Sequence, residues 1–386
     1  MFALLLVILA DDPLFHARTA SGKDVRGPLT SVSGLDVEIG SKVRRTIPVG
    51  ELLWLRREAM TLPELPRGEH LILVDGSRIP FTSIRLKNDD LLIRHPDLGA
   101  MPVAVPLSSV TVVWRTAPDG EAFPERARRR LVGVRPTRDQ VHLCNGDRIE
   151  GTLNALEAEV EVERDRKVTK SRWSQVSAVL VAAESAASAK GPQAHVIVMP
   201  SEMSPGGRFV LSSAMLQRDE FVGKTTFGAT LRVPLERLVR LEVLGGADVP
   251  LSSREALNFT HTPYLDENLR YGVDVTVNGR DLRLGGSWDR GLGLPAGTAL
   301  TFDVKGFRRF EAMVGLDEIE GRGGKVRIAV LLDGKAADIG PRDLLGQPLA
   351  LSIQLAGAKT LTLQVRYTER GPVGASVNWV DARLIK

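Results

Sequence analysis

The sequence predicts an all-β protein, a tandem array of about four small five-stranded barrels followed by a two-sheet β-sandwich. Three observations predict it. Between residues 15 and 246, short alternating apolar runs are broken by Gly, Asp, Asn and Pro, and amphipathic helical periodicity is nearly absent. A closing cassette recurs at Leu52, Val110, Val176 and Leu238, with spacings of 58, 66 and 62 residues. A unit of about 60 residues that recurs four times reads as a structural repeat. From Leu251 the strands lengthen, and the remaining stretch of about 130 residues suits a two-sheet sandwich.

Composition sets the outer limits. The chain has 386 residues, 43% hydrophobic and 25% charged, which places it among ordinary folded proteins rather than disordered ones. Basic residues number 51 and acidic residues 47. The surplus is spread evenly, with 33 against 31 up to residue 250 and 18 against 16 beyond it. No concentrated basic face is visible, so no nucleic-acid partner is expected. A single cysteine, Cys144, excludes an intrachain disulfide framework and any multi-cysteine metal site.

The first ten residues, MFALLLVILA, are almost wholly apolar and are followed at once by Asp11-Asp12-Pro13. A spanning helix needs about 20 apolar residues, so no transmembrane segment is expected. The run fits the apolar region of a secretory signal with Ala10 before the cleavage point, although no basic residue precedes it. A secreted, periplasmic or cell-surface location follows, with a buried first strand as the alternative.

The modules read as follows. Residues 15–57 form a weak first copy ending in IPVGEL and LWLRR. Residues 68–116 are the clearest, with HLILV, the Asp75-Gly76 turn, RIPFTSIRL, LLIRH, PVAV, a short PLSSV turn and TVVWR. Asp-Gly between apolar runs is a strong hairpin signal. Residues 131–182 and 194–246 repeat the design around Asn145-Gly146 and Gly206-Gly207. The stretches 117–130 and 183–193 read as linkers, the first a solvated connector carrying Arg128-Arg129-Arg130. Residues 251–386 form the sandwich.

Five short strands with a one-turn helix before the last resemble Sm-like or SH3-like small barrels across residues 15–246. The RNA-binding signatures of Sm proteins are missing. Asn88 and Asp89 merely make a turn, and Arg172 before Trp173 lacks the following glycine. The barrels are expected to act as a spacer or as a surface for protein partners.

The C-terminal region resembles the NPCBM family of carbohydrate-binding modules, which implies a galactose-binding-like jelly-roll sandwich. The likeness rests on Tyr264-Leu265-Asp266, Asn278-Gly279, Gly291-Leu292-Gly293 and the run from Phe310 to Asp317. It continues through Asp333-Gly334-Lys335 and LSIQLAGAKTLTLQV to the terminal Asn378-Trp379-Val380-Asp381-Ala382-Arg383-Leu384. The resemblance implies a glycan partner, of galactose type in the first instance. The chain departs from the family where Leu294-Pro295-Ala296-Gly297 follow the Gly-x-Gly and where Ala375-Ser376-Val377 precede Asn378. Those departures remove polar groups able to orient a sugar and leave a degenerate, protein-contact module as the alternative.

Sugar binding needs an aromatic face for the ring's C–H surface, with carboxylates, amides or guanidinium groups for its hydroxyls. Trp288, Asp289 and Arg290 offer that set in a glycine-rich stretch expected to be an exposed turn. Asn378, Trp379 and Asp381 offer it again, with Trp379 more simply a core residue. No cofactor is expected. Asp317 and Asp381 could hold a structural calcium ion, turn capping being the plainer role.

No serine-hydrolase elbow, zinc-binding helix or phosphate loop is present, so a non-enzymatic protein is expected, with a glycan-acting hydrolase as the third reading. His70, His142 and His195 recur near the starts of first strands and read as a structural slot. If the apolar leader is a cleaved signal, N-terminal sequencing of protein from its native cell returns a chain beginning DDPLF. Intact Met1 on a protein recovered from the cytoplasm excludes cleavage.

Overall fold

The computed structural model describes residues 13–182, 191–265, 267–337 and 340–386, so the signal-like segment and most of the second linker lie outside the described residues. Up to residue 244 the chain repeats one pattern of strand pairing in four segments. In the first, Leu14–Thr19 pairs with Asp24–Gly34, which pairs with Asp36–Ile39, and that strand with Arg45–Ile47. The fifth strand, Leu52–Arg57, returns to pair with the first. The segments ending at Val110–Trp114, Val176–Leu180 and Leu238–Leu244 follow the same order. In the second segment the second strand is split into Arg78–Pro80 and Ser83–Lys87. Pro80 lacks the amide hydrogen that a continuous ladder needs.

The anchors that revealed the repeat have a common structural role. Leu52, Val110 and Val176 pair with Thr19, Leu73 and Leu143, and Leu238 pairs with Val198. In each case the ladder slips by one residue immediately after the anchor. The bulge bends each fifth strand at the same point, as an extra residue in one strand must. Just before it, single 3-10 turns occupy Leu107–Ser109, Trp173–Gln175 and Leu235–Arg237, while in the first segment Glu51 donates to the Pro48 carbonyl at 2.9 Å. The Asp-Gly and Asn-Gly signals were sound, since Gly76 and Gly146 take φ of 94° and 92°. Counted from the bulge, His16, His70 and His195 share one register position, and His142 lies two residues nearer its bulge.

Fifth strands also join the segments in pairs. Leu52–Arg57 runs antiparallel to Leu238–Leu244, joining first to fourth, and Val110–Trp114 runs antiparallel to Val176–Leu180, joining second to third. Inner faces feed one hydrophobic core reaching from Phe15 to Val243. The outer faces are apolar too, as every residue of Val110–Trp114 and Val176–Leu180 is buried. A strand buried on both faces reads as a continuous apolar run and needs a layer on each side. The helix Pro124–Val132 supplies that layer for the second and third segments, packing Ala127 on Ile72, Val112, Trp114, Ala178 and Leu180. The expected solvated connector is therefore half helix, and Arg128 is only 3% exposed. No helix among the described residues is long and apolar enough to cross a membrane.

The C-terminal part is a two-sheet sandwich. One sheet orders Gly272–Val273, Gly291–Pro295, Ser376–Ile385, Arg309–Leu316 and Leu349–Gln354. The other orders Asn258–His261, Thr298–Asp303, Thr360–Tyr367, Val326–Leu332 and Lys335–Ala336. Asp248–Pro250 pairs with Arg383–Ile385, so the sandwich begins three residues before the expected Leu251. Its own core joins Leu300, Phe302, Phe310, Ile328, Leu363 and the fully buried Trp379.

Trp379→Ala removes the largest side chain of that core and lowers stability by about 3–5 kcal/mol. The shift of the urea midpoint of the full chain measures it, and a change below about 1 kcal/mol contradicts the assignment.

Candidate functional site

The sandwich docks on the outer face of the first and fourth segments, and Trp288 is the centre of that contact. It sits in the short strand Ser287–Trp288, paired with Leu282–Arg283 across a Gly285-Gly286 turn. Trp288 is only 4% exposed, contrary to the exposed turn expected from its flanking glycines. The reason is close approach. Gly286 has φ of 128° and bridges the backbone of Leu62, where a Cβ would lie 2.7 Å from the Leu62 oxygen. Trp288 packs among Leu62, Ile197, Val239, Leu282, Leu284 and Val380, and its Nε1 donates to the Leu284 carbonyl at 2.8 Å. The Arg240 guanidinium lies over its ring at 5.1 Å and that of Arg56 at 5.9 Å, so protein covers the faces a sugar would use.

The neighbouring polar residues are held by partners in the same interface. Asp289 accepts from Arg208 Nε at 2.5 Å and lies 3.6 Å from Arg78 Nε. Burial alone would raise its carboxyl, but Arg208, His195 and Arg78 outweigh that and hold it well below the usual carboxylate range. Asp381 accepts from Arg240 at 2.7 Å and from Arg383, which also donates to Asp248 at 2.8 Å and to Glu242 at 3.1 Å. Asn378 Nδ2 donates to Asp317 at 2.6 Å and to the Arg283 carbonyl at 3.2 Å. Trp379 is wholly buried. Of the expected sugar-binding residues, Trp288, Asp289 and Asp381 thus join the sandwich to the array, while Asn378 and Trp379 are held within the sandwich. Arg290 lines a cavity beside the docked face.

Asp317 caps the next turn, accepting from the amides of Ile319 and Glu320 at 2.9 and 2.7 Å, whereas Asp381 is occupied by arginines. The two carboxylates therefore serve separate partners rather than one calcium ion. Among the described residues no group of three or more His, Cys, Asp or Glu side chains comes together to hold a metal. Further ion pairs ring the contact, including Arg18 with Glu311 at 2.5 Å, Arg128 with Asp281 at 2.6 Å and Arg280 with Glu125 at 3.1 Å.

A groove of about 640 Å³ lies elsewhere on the sandwich, between the strand Asn258–His261 and the segment leading to Gly272–Val273. Phe259 and Tyr271, their rings 5.1 Å apart, supply its aromatic surface, while His261, Asn268 and Arg270 supply polar groups. His261 Nδ1 lies 3.4 Å from Thr298 Oγ1, and its buried Nε2 has no protein partner. The same connection carries Tyr264, 57% exposed and edge-on to Tyr367. Sequence reasoning missed this groove, although Phe259, His261, Asn268, Arg270 and Tyr271 within NFTHTPYLDENLRY were a usable signal.

Residues 248–385 match the model of the NPCBM/NEW2 domain family. This part of the chain is an NPCBM/NEW2 domain. Solved structures similar to the chain include CBM51-2 in complex with GlcNAc and INT domains from Clostridium perfringens ZmpB, at 15% identity and a TM-score of 0.33. That match covers 46% of this chain and 40% of the other. Another is CBM51 from Clostridium perfringens GH95 in complex with methyl-galactose, at 22% identity, a TM-score of 0.31 and coverage of 36% and 99%. A third is the tandem CBM51 modules of Sp3GH98 from Streptococcus pneumoniae, at 13% identity, a TM-score of 0.31 and coverage of 82% and 88%. This chain thus spans two fifths of the first of these. No curated protein matches.

The docked face of the NPCBM/NEW2 domain is acid-sensitive. Burial favours a neutral Asp381, but Arg240 and Arg383 overcome it and hold the carboxyl at about 2, below ~3.9 for a free aspartate. A depressed folded value means the stabilisation is complete above about pH 4 and lost as pH falls through about 2. Thermal unfolding between pH 5 and 2 shows a steeper fall for the wild type than for Asp381→Asn. Equal slopes mean that the pair contributes nothing.

Proposed function

We propose that this is an exported, non-enzymatic glycan-binding protein whose NPCBM/NEW2 domain holds the sugar, with the segmented array as its mount. The observation that carries this reading is the match of residues 248–385 to that family, over a stretch that builds a complete sandwich with its own core. The groove beside Phe259 and Tyr271 is the ligand site. Its two rings present apolar surface for a pyranose, and His261, Asn268 and Arg270 present donors and acceptors for hydroxyls. A galactose-type ligand is the first candidate, from the galactose-binding-like fold that the sequence resembles.

A second reading has a specific observation in its favour. Trp288, Asp289 and Asp381 are all engaged in docking, which suits a module used for assembly rather than for sugar. Glycan-array binding by the full chain separates the two. Under the first reading the chain retains a defined set of glycans, and Tyr271→Ala lowers affinity by about 1–3 kcal/mol while the melting temperature stays within a few degrees. Trp288→Ala leaves glycan binding in place and lowers the melting temperature. Absence of binding to any arrayed glycan favours the assembly reading, and equal binding by the Tyr271 variant moves the site away from the groove.

A further inference from the structure

A cavity of about 270 Å³ lies where the second segment, the helix Pro124–Val132 and the sandwich meet. Arg78, Arg129, Arg135 and Arg290 line it, together with His195 and Thr111. Its rim is open at Gly76 and Arg135, and its floor is closed by Arg78, 5% exposed, and His195, 8% exposed.

Two buried guanidinium nitrogens on these walls have no hydrogen-bond partner in the protein, Nη1 of Arg78 and Nη2 of Arg129. Arg129 Nε donates to Asp281 at 3.2 Å, and Arg78 Nε faces Asp289 at 3.6 Å. Leaving a buried charged donor without an acceptor costs several kcal/mol, so such a group is ordinarily matched by an acceptor.

Three carboxylates also line the cavity, Asp75, Asp274 and Asp289. Asp75 accepts from the Ser77 amide at 2.8 Å and the Thr226 hydroxyl at 2.5 Å. Asp274 accepts from the Gly291 amide at 2.9 Å, and Asp289 accepts from Arg208 through Oδ2, while its buried Oδ1 has no hydrogen-bond partner and lies 3.6 Å from Arg78 Nε. With Arg208 behind Asp289, and Arg128 and Asp281 behind Arg129, six arginines face four carboxylates. Consistent with uncompensated positive charge, burial and then the neighbouring Arg129 bring the Arg78 guanidinium down to about 9. Burial likewise lowers His195, despite the nearby Asp289 and Glu242.

We propose that this cavity binds an oxyanion, as phosphate or sulfate, between the free nitrogens of Arg78 and Arg129, with Arg135 at the rim. Planar guanidinium groups recognise tetrahedral oxyanions through paired charge-assisted hydrogen bonds. The anion is either a free ion or the charged substituent of a saccharide. The inference does not rest on the glycan groove, which lies on other elements.

Calorimetric titration of the full chain at pH 7 tests it, with inorganic phosphate, inorganic sulfate and galactose 6-sulfate at matched ionic strength in chloride. Saturable binding of one anion per chain is expected, and either Arg129→Gln or Arg135→Gln weakens it about tenfold, the worth of one charge-assisted hydrogen bond. Arg135 is exposed and makes only local contacts, so its variant keeps the test valid if the Arg129 variant unfolds. Arg327→Gln, remote on the sandwich and paired with Asp343, leaves binding unchanged. Tighter binding of galactose 6-sulfate than of the inorganic ions identifies a saccharide-borne group, and the reverse identifies a free ion. No saturable binding of any of the three, or binding as tight as the wild type's by both the Arg129 and the Arg135 variant, overturns the proposal.

Discussion

The structure depends on covering the outer faces of two pairs of fifth strands. Each fifth strand already feeds the inner core and also carries apolar side chains on its other side. Two different solutions appear in one chain. Over the second and third segments the cover is the nine-residue helix Pro124–Val132. Over the first and fourth it is the sandwich, which presses Trp288, Leu284 and Val380 onto Ile197 and Val239. The sandwich is therefore a structural layer of the array as well as a domain with its own core.

Apolar burial drives that docking, and the surrounding charges set its geometry. Arg208, Arg240 and Arg383 are nearly inaccessible, and each meets a carboxylate. Taking such ions out of water offsets most of their mutual attraction, so their net effect on stability is small while both partners remain. Removing one partner leaves the other charge buried and unmatched, which makes any misplaced docking unfavourable. The interface is in this sense selective for one orientation of the sandwich, because a rotated placement would strand several arginines.

Much of the fold was legible in the sequence. The repeat anchors, the hairpin turns and the family likeness each depend on local pattern, and local pattern survives in a linear string. The anchor residues even marked the recurring bulge, though their spacing could not say why. What could not be read was which apolar surfaces meet. The glycines around Trp288 have the same letters whether they make an exposed turn or admit the backbone of Leu62, and only the tertiary partner distinguishes them. Arg128 and Arg129 likewise read as a solvated run because Asp281, their partner, lies about 150 residues away. The candidate groove leaves a weaker trace in the sequence because its aromatics are phenylalanine and tyrosine spread along a loop-rich stretch, whereas a tryptophan beside a carboxylate is the plainer sugar-binding pattern.

The pairing of first segment with fourth has a consequence for biosynthesis. Arg56 and Arg240 are direct neighbours in the sheet, yet everything between them must be translated before they can meet. At about 5–20 residues per second, the strand Leu52–Arg57 waits roughly 10–40 s with an unpaired apolar edge. The second and third segments, which pair with one another inside that interval, can close first. The nascent chain is thus expected to join its segments from the inside of its sequence outward, with the fifth strand of the first segment among the last to find its second partner. During that delay the open edge is a natural substrate for a holding chaperone.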